Sequence, residues 1–454
     1  MVAFLAQALI DATATRRLLL AVLALSLATG GCAFTNLERE LHELERSVVL
    51  SGAVFAHRGD PAAIHVLAYR NDGRQAVIAD YQVLSRSGPY GFVVGPGRYE
   101  VFAFEDRNAN ASFDDGEPVG CVDGITAVAG ERALIERLDI ELAATSKCAA
   151  RYPSDAPAAN RLVNVSRPEL ASVATLDDPV FAPEYGQMAL WEPHSFVEQI
   201  RGGVYFAEPY DPAKTPVLFV HGAGGTPRDW KYFVDHLDRS RYQPWFYYYA
   251  SGVALDESAF WLNRIVTALH ERNGFDRLIV VAHSMGGLVA RRFILQNDDA
   301  GGQKYVRLFV SLSSPWGGMD SAALGVRYAP VAMPSWIDLA PGSGFLSDLY
   351  RNRLPPNVSF YLFYGAQGGA GVALPEDDGT LTVATQRDPR VSAEAIEVLG
   401  FDADHMAIIN SRAVFDEFER VIAREAPLDD TKGAPRPSIH AGFRATSVAR
   451  IGDQ

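Results

Sequence analysis

The chain has 454 residues, more than one ordinary domain needs, so two domains with tails are expected. Its 48% hydrophobic and 21% charged residues are a globular composition, sufficient for a sizeable core. A net charge of -14 argues against a nucleic-acid-binding face, because phosphate recognition needs a basic surface.

Residues 1–32 stand apart from the rest. Arg16 and Arg17 precede an apolar run from Leu18 to Ala28, and Thr29, Gly30 and Gly31 lead to Cys32. A positive flank, a short apolar stretch and small residues describe a secretory signal. The run is too short to span a bilayer, which takes about 20 apolar residues. The small residues directly before Cys32 resemble the lipobox of bacterial lipoproteins, although Thr29 departs from its usual leucine. That resemblance implies lipidation of Cys32, export and a membrane-anchored protein. Two other cysteines, Cys121 and Cys148, remain for a disulfide in an oxidising compartment.

Residues 33–47 place Leu37, Leu41 and Leu44 at helical spacing among charges, the pattern of a short amphipathic spacer. From 48 to 148 short alternating runs are separated by Gly, Pro, Asn and Asp clusters, which predicts a small antiparallel β-sandwich. The stretch from Gly88 to Asp106 resembles prealbumin-like or carboxypeptidase-regulatory-like sandwich domains in its pattern. Asp106, Asn108, Asn110, Asp114 and Glu117 follow the oxygen spacing of an EF-hand-type calcium loop, with Phe113 at its apolar position. Ala111 replaces the glycine of the sharp turn, where a left-handed conformation costs roughly 1–2 kcal/mol. A structural calcium ion and a solvated hairpin are the alternatives there.

Residues 149–200 are Pro- and Ala-rich with little periodicity, a linker pattern. From 201 to 425 apolar strand-like runs at 216–220, 244–249, 277–282, 306–312 and 358–364 alternate with helical patterns at 260–270 and 287–295. Runs that are nearly all apolar are buried on both faces, as in a parallel sheet covered by helices. The tail 426–454 is polar, broken by prolines and expected to be disordered.

The chemistry concentrates in the parallel-sheet region. A strand runs into Ala282-His283-Ser284-Met285-Gly286-Gly287 and on into a helix, the context of a nucleophile elbow with Ser284 on its turn. Ala282 replaces the elbow's usual first glycine. An earlier strand ends in His221-Gly222-Ala223-Gly224, a turn that lets backbone N–H groups approach an oxyanion. The donors expected are the N–H groups of Ala223 and Met285; His221 holds the loop and transfers no proton. Together with Leu312-Ser313-Ser314-Pro315-Trp316-Gly317-Gly318 and the stretch 338–346, these motifs resemble bacterial lipases and esterases of the α/β-hydrolase superfamily, in the branch that includes GPI-inositol deacylases. The resemblance covers roughly residues 200–420.

What it implies is a serine hydrolase with chain order Ser, acid, His. After Ser284 only His405 and His440 remain, and His405 follows a short apolar run as the family's base does. The Glu376-Asp377-Asp378-Gly379 turn resembles the family's Asp-Gly turn and makes Asp378 the acid, with Asp377 next. Residues 319–350 are either a mobile cap over an apolar cleft or ordinary packing. The expected activity is cleavage of a lipid-like or acyl ester with no catalytic cofactor. A thioesterase or amidase, and a surface binding protein built on a hydrolase scaffold, are the competing readings.

Overall fold

The computed structural model describes residues 34–56, 62–71, 76–130, 133–144, 172–299, 304–367 and 376–425. The expected signal with Cys32, the partner cysteine Cys148, the first part of the expected linker, and the tail lie outside these residues.

Eight strands form two four-stranded sheets. In one, the strands β2 (Ala63–Asn71), β3 (Ala76–Leu84), β5 (Gly97–Asp106) and β6 (Val119–Ala127) pair antiparallel in the order β3-β2-β5-β6. In the other, β1 (Val48–Ala56) pairs antiparallel with β4 (Gly88–Val94) but parallel with the short β7 (Leu134–Ile135) and β8 (Ile140–Leu142). This sheet is therefore mixed, not wholly antiparallel. After β6 the chain crosses to the other sheet and runs along β1 in the same direction. Gly52 permits that passage, since a Cβ there would sit 2.2 Å from the Leu138 carbonyl oxygen. Val48, Leu50 and Val54 of β1 meet Val66, Ala68, Val101 and Ala103 of the facing sheet in one core.

The third sheet has seven strands. Its order is β15 (Glu397–Phe401), β14 (Ser359–Gly365), β13 (Val306–Leu312), β12 (Leu278–His283), β10 (Thr215–Val220), β11 (Tyr242–Tyr248) and β9 (Gly203–Phe206). All pairs are parallel except β9 on β11. Every residue of β10, β11 and β12 is buried, which is why their sequences read as unbroken apolar runs.

Helices cover both faces of this sheet, and three of them come from segments that read as spacer or linker. The helix α1 over 34–46 buries Leu37 completely. Its Glu40 is buried too and accepts from both the N–H and the hydroxyl of Ser195, so it caps a second helix across space. The segment from 172 onward carries α2 (Pro183–Trp191) and α3 (Pro193–Gln199), whose Phe181, Ala189 and Phe196 environment is part of the sheet's core. Arg201, just after α3, forms an ion pair with Asp80 of β3 and donates to the Gly91 carbonyl of β4. Burial lowers its guanidinium to about 10. This buried pair joins the seven-stranded sheet to the two smaller ones.

Candidate active site

Ser284 lies between β12 and the helix α6 (Met285–Asp299), with φ of 54°. A left-handed residue between a strand and a helix is the strained turn that lifts a side chain out of a sheet's carboxyl edge. The turn is crowded: a Cβ on Gly286 would come within 2.4 Å of the His221 carbonyl oxygen, and one on Gly222 within 2.8 Å of the Ser284 Cβ. Ala282 fits at the usual first-glycine position, fully buried within β12.

His405 sits in the loop after β15. Its Nε2 is 2.9 Å from Ser284 Oγ, and its Nδ1 is 2.7 Å from Asp378 Oδ2. The other Asp378 oxygen accepts from the backbone N–H groups of Thr380 and Leu381, in a turn that Gly379 makes possible with φ of 85°. Burial raises the Asp378 carboxyl, but the bond and charge of His405 and the two backbone donors outweigh it, so the net shift is downward. Asp378 is 1% exposed, whereas Asp377 is only half-buried and, among the described residues, accepts merely from the Gly379 N–H. The geometry thus brings Ser284, His405 and Asp378 together and leaves Asp377 aside.

Met285 supplies the first N–H of α6, at the helix's positive end, and helix N-termini leave such groups without intrahelical partners. Ala223 lies on the facing loop after β10. That loop is held by the Gly224 N–H on Ser251 Oγ and by His221, whose Nδ1–H donates to the Gly222 carbonyl at 2.7 Å. Burial pushes the His221 ring down to about 4, so it stays neutral and serves as a strut stacked on Tyr249. No residue of 172–200 was expected near the site, yet Gly186 of α2 packs so closely that a Cβ would lie 2.4 Å from the Gly224 carbonyl oxygen. Its Pro- and Ala-rich surroundings gave no periodicity by which to find it.

Residues 319–350 form three short helices, α7 (Asp320–Tyr328), α8 (Pro334–Leu339) and α9 (Gly344–Leu349). Their Met333, Leu339, Leu346 and Leu349 are buried, while Leu324, Tyr328 and Ile337 are exposed. Trp336 of α8 meets Trp191 of α2 edge-on at 5.6 Å, and Trp191 also meets Phe34 of α1. Asp338 of α8 accepts from the Leu255 N–H, the first of the helix α5 (Leu255–Asn273). Burial, and secondarily Asp256, raise its carboxyl to about 6. A folded-state value above the unfolded one means stability gained below pH 4 and lost as pH rises through 6. Asp338→Asn, whose amide oxygen still accepts, should therefore raise Tm by a few degrees at pH 8 and leave it unchanged at pH 4, as read by thermal melts.

The loop proposed for calcium lies on the smaller sheets. Asp106 accepts from the N–H groups of Asn110 and Ala111, and Glu117 from those of Arg107 and Asp114. The amides of Asn108 and Asn110 both donate to Asp114. Ala111 has φ of 59°, the left-handed turn its position demands. Among the described residues no group of three or more His, Cys, Asp or Glu side chains is placed to hold a metal ion. Cys121 lies on β6. No helix among the described residues is long and apolar enough to cross a membrane.

A family profile for the alpha/beta hydrolase fold matches residues 215–335, which span the turn after β10, Ser284 and the helices α5 and α6. Over these residues the chain is similar to the alpha/beta hydrolase fold family. Among solved structures, the chain is similar to the mature form of a Bacillus licheniformis lipase at 21% identity, covering 48% of this chain and 97% of that one, with a TM-score of 0.38. It is also similar to a Listeria innocua gene product at 17% identity, covering 46% and 94%, with a TM-score of 0.36. A Legionella pneumophila phospholipase matches at 17% identity over 38% of this chain and 45% of that one, with a TM-score of 0.30. A search of curated protein sequences gives no match.

Proposed function

We propose that the chain is a serine hydrolase that cleaves carboxylic esters through an acyl-enzyme on Ser284. The observation that carries this reading is the unbroken line from Ser284 Oγ through His405 to Asp378, with distances of 2.9 and 2.7 Å. His405 Nε2 takes the Ser284 proton as Oγ bonds to the ester carbonyl carbon, and Asp378 holds the imidazolium that forms. The carbonyl oxygen, now negative, is received by the N–H groups of Ala223 and Met285. His405 returns its proton to the leaving alcohol. Water then enters by the same route and frees the acid, with no cofactor in any step. Beside the turn, Gly224 is approached by the Gln187 amide and by the Leu190 side chain, both from α2.

The test is labelling of the folded full chain with a fluorophosphonate, mapped by mass spectrometry, alongside a series of p-nitrophenyl esters of rising chain length. Labelling at Ser284 and turnover of at least one ester are expected. A folded protein that neither labels there nor turns over any ester of the series would overturn the reading.

Three further assignments rest on sequence. We infer that Cys32 is lipidated and anchors an exported protein to a membrane, which intact mass of the membrane-extracted protein tests; a mature start elsewhere sinks it. Cys148 is proposed as the partner of Cys121, to be read by peptide mapping without reductant. Calcium is proposed at the loop of Asp106, Asn108, Asn110, Asp114 and Glu117 on their spacing, and it requires the two amides to turn their oxygens inward. Calcium with a Kd of about 10⁻⁴–10⁻³ M should raise Tm of the full chain and leave Asp106→Ala unmoved. Identical melts with calcium and with chelator would reduce the loop to a solvated turn.

A further inference from the structure

We propose that His283, the residue before Ser284, is a positioning residue that fixes the base loop by donating from Nε2 to the backbone carbonyl of His405. The inference rests on the reading of Ser284 and His405 as nucleophile and base.

His283 is the last residue of β12 and is 4% exposed. Its Nε2 lies 2.7 Å from the His405 carbonyl oxygen. A carbonyl oxygen only accepts, so the proton must be on Nε2. Burial, then the neighbouring His405, drives the ring down to about 3; Asp378 and His221 are the other titratable groups around it. The ring is therefore held as a neutral donor whose one N–H is engaged by that carbonyl.

What it holds is a short loop whose flanks, Ala403, Ile408 and Ile409, are buried in the core. His405 belongs to the loop between β15 and a single turn at Ala407–Asn410, where no strand or α-helix sets its position. Its N–H donates to the Asp378 carbonyl at 2.8 Å, which ties the base to the acid through the backbone as well as through the side chain. The His283 bond supplies the corresponding tie to the nucleophile's own strand. The base is thus referenced at its main chain to both residues it serves. Asp404 accepts from the N–H groups of Met406 and Ala407, which shapes the loop but does not connect it to β12. A buried histidine that merely filled space would need no donor aimed at this one carbonyl.

The experiment compares His283→Leu, which lacks a donor, with His283→Gln, whose amide N–H reaches about as far as Nε2. Activity is measured on a short ester at saturating and limiting concentration, with the fluorophosphonate labelling rate and Tm beside it. A misplacement of about 1 Å is worth about 10²-fold in rate. His283→Leu should therefore lower kcat about 10²-fold with KM within twofold, and slow labelling in parallel, while His283→Gln recovers most of both. If the Leu variant does not fold, His283→Asn, polar but too short to reach, replaces it with the same expectation. Unchanged kcat in the donor-less variant, or a loss that follows Tm and is not rescued by Gln, overturns the proposal. Ser284→Ala run in parallel separates this from failure of the catalytic reading: if that variant keeps its activity, the nucleophile assignment has failed instead.

Discussion

Ser284→Ala will lower ester turnover by about 10⁴–10⁶, because members of a triad act as a unit and the loss of one removes the covalent route. His405→Ala should fall in the same range for the same reason. The protein should stay folded in both cases. The 54° φ of Ser284 is as strained for alanine as for serine, so the substitution adds no backbone cost. The serine hydroxyl pairs with the His405 Nε2, and His405 is itself only partly buried, so little packing depends on that bond. Thermal melts would establish the fold, and initial rates on a short ester would establish the loss. A variant that keeps a tenth of the wild-type rate while losing fluorophosphonate labelling would move the chemistry away from Ser284.

The elbow was legible in the sequence because a strand, a serine among small residues and a helix are three coincident signals. The five apolar runs were legible for a related reason, since β10 to β14 are covered on both faces and need no alternation. What was not legible is what depends on packing across distance. β9 has four residues, too few to show a period, and it exists by pairing with β11. α2 and α3 each begin with a proline in a segment without periodicity, and their place is set by contacts such as Gly186 on the Gly224 loop and Glu40 on Ser195. β7 and β8, with two and three residues, give no hint that they join β1 in parallel. The helical spacing of Leu37, Leu41 and Leu44 was readable, but that α1 docks on α2 and α3 was not. Residues 319–350 were read as either a cap or ordinary packing, and what the structure gives is packing with an exposed outer side. Inner faces of three short helices are packed and outer ones carry exposed apolar side chains.

Asp378→Asn should cost far more than Asp377→Asn, although the two residues are neighbours in an acidic turn. Replacing the acid of a serine triad by its amide keeps the shape but costs about 10⁴ in turnover, because an amide N–H facing Nδ1 forces the wrong imidazole tautomer. Here the amide oxygen would remain on the N–H groups of Thr380 and Leu381, where Asp378 Oδ1 now accepts. The NH₂ group would then face His405 Nδ1, where Oδ2 now stands at 2.7 Å. The ring would have to place its proton on Nε2, toward Ser284, and could no longer accept from the nucleophile. Asp377 has no such position. Among the described residues its carboxylate takes only the Gly379 N–H, a bond asparagine reproduces, and it is partly exposed to water that can replace the rest. Kinetics on one short ester decide the matter. The expected result is a loss of about 10⁴ for Asp378→Asn and a change within twofold for Asp377→Asn. Equal and mild effects from both would mean that His405 is oriented by some other group and that the 2.7 Å contact is only structural.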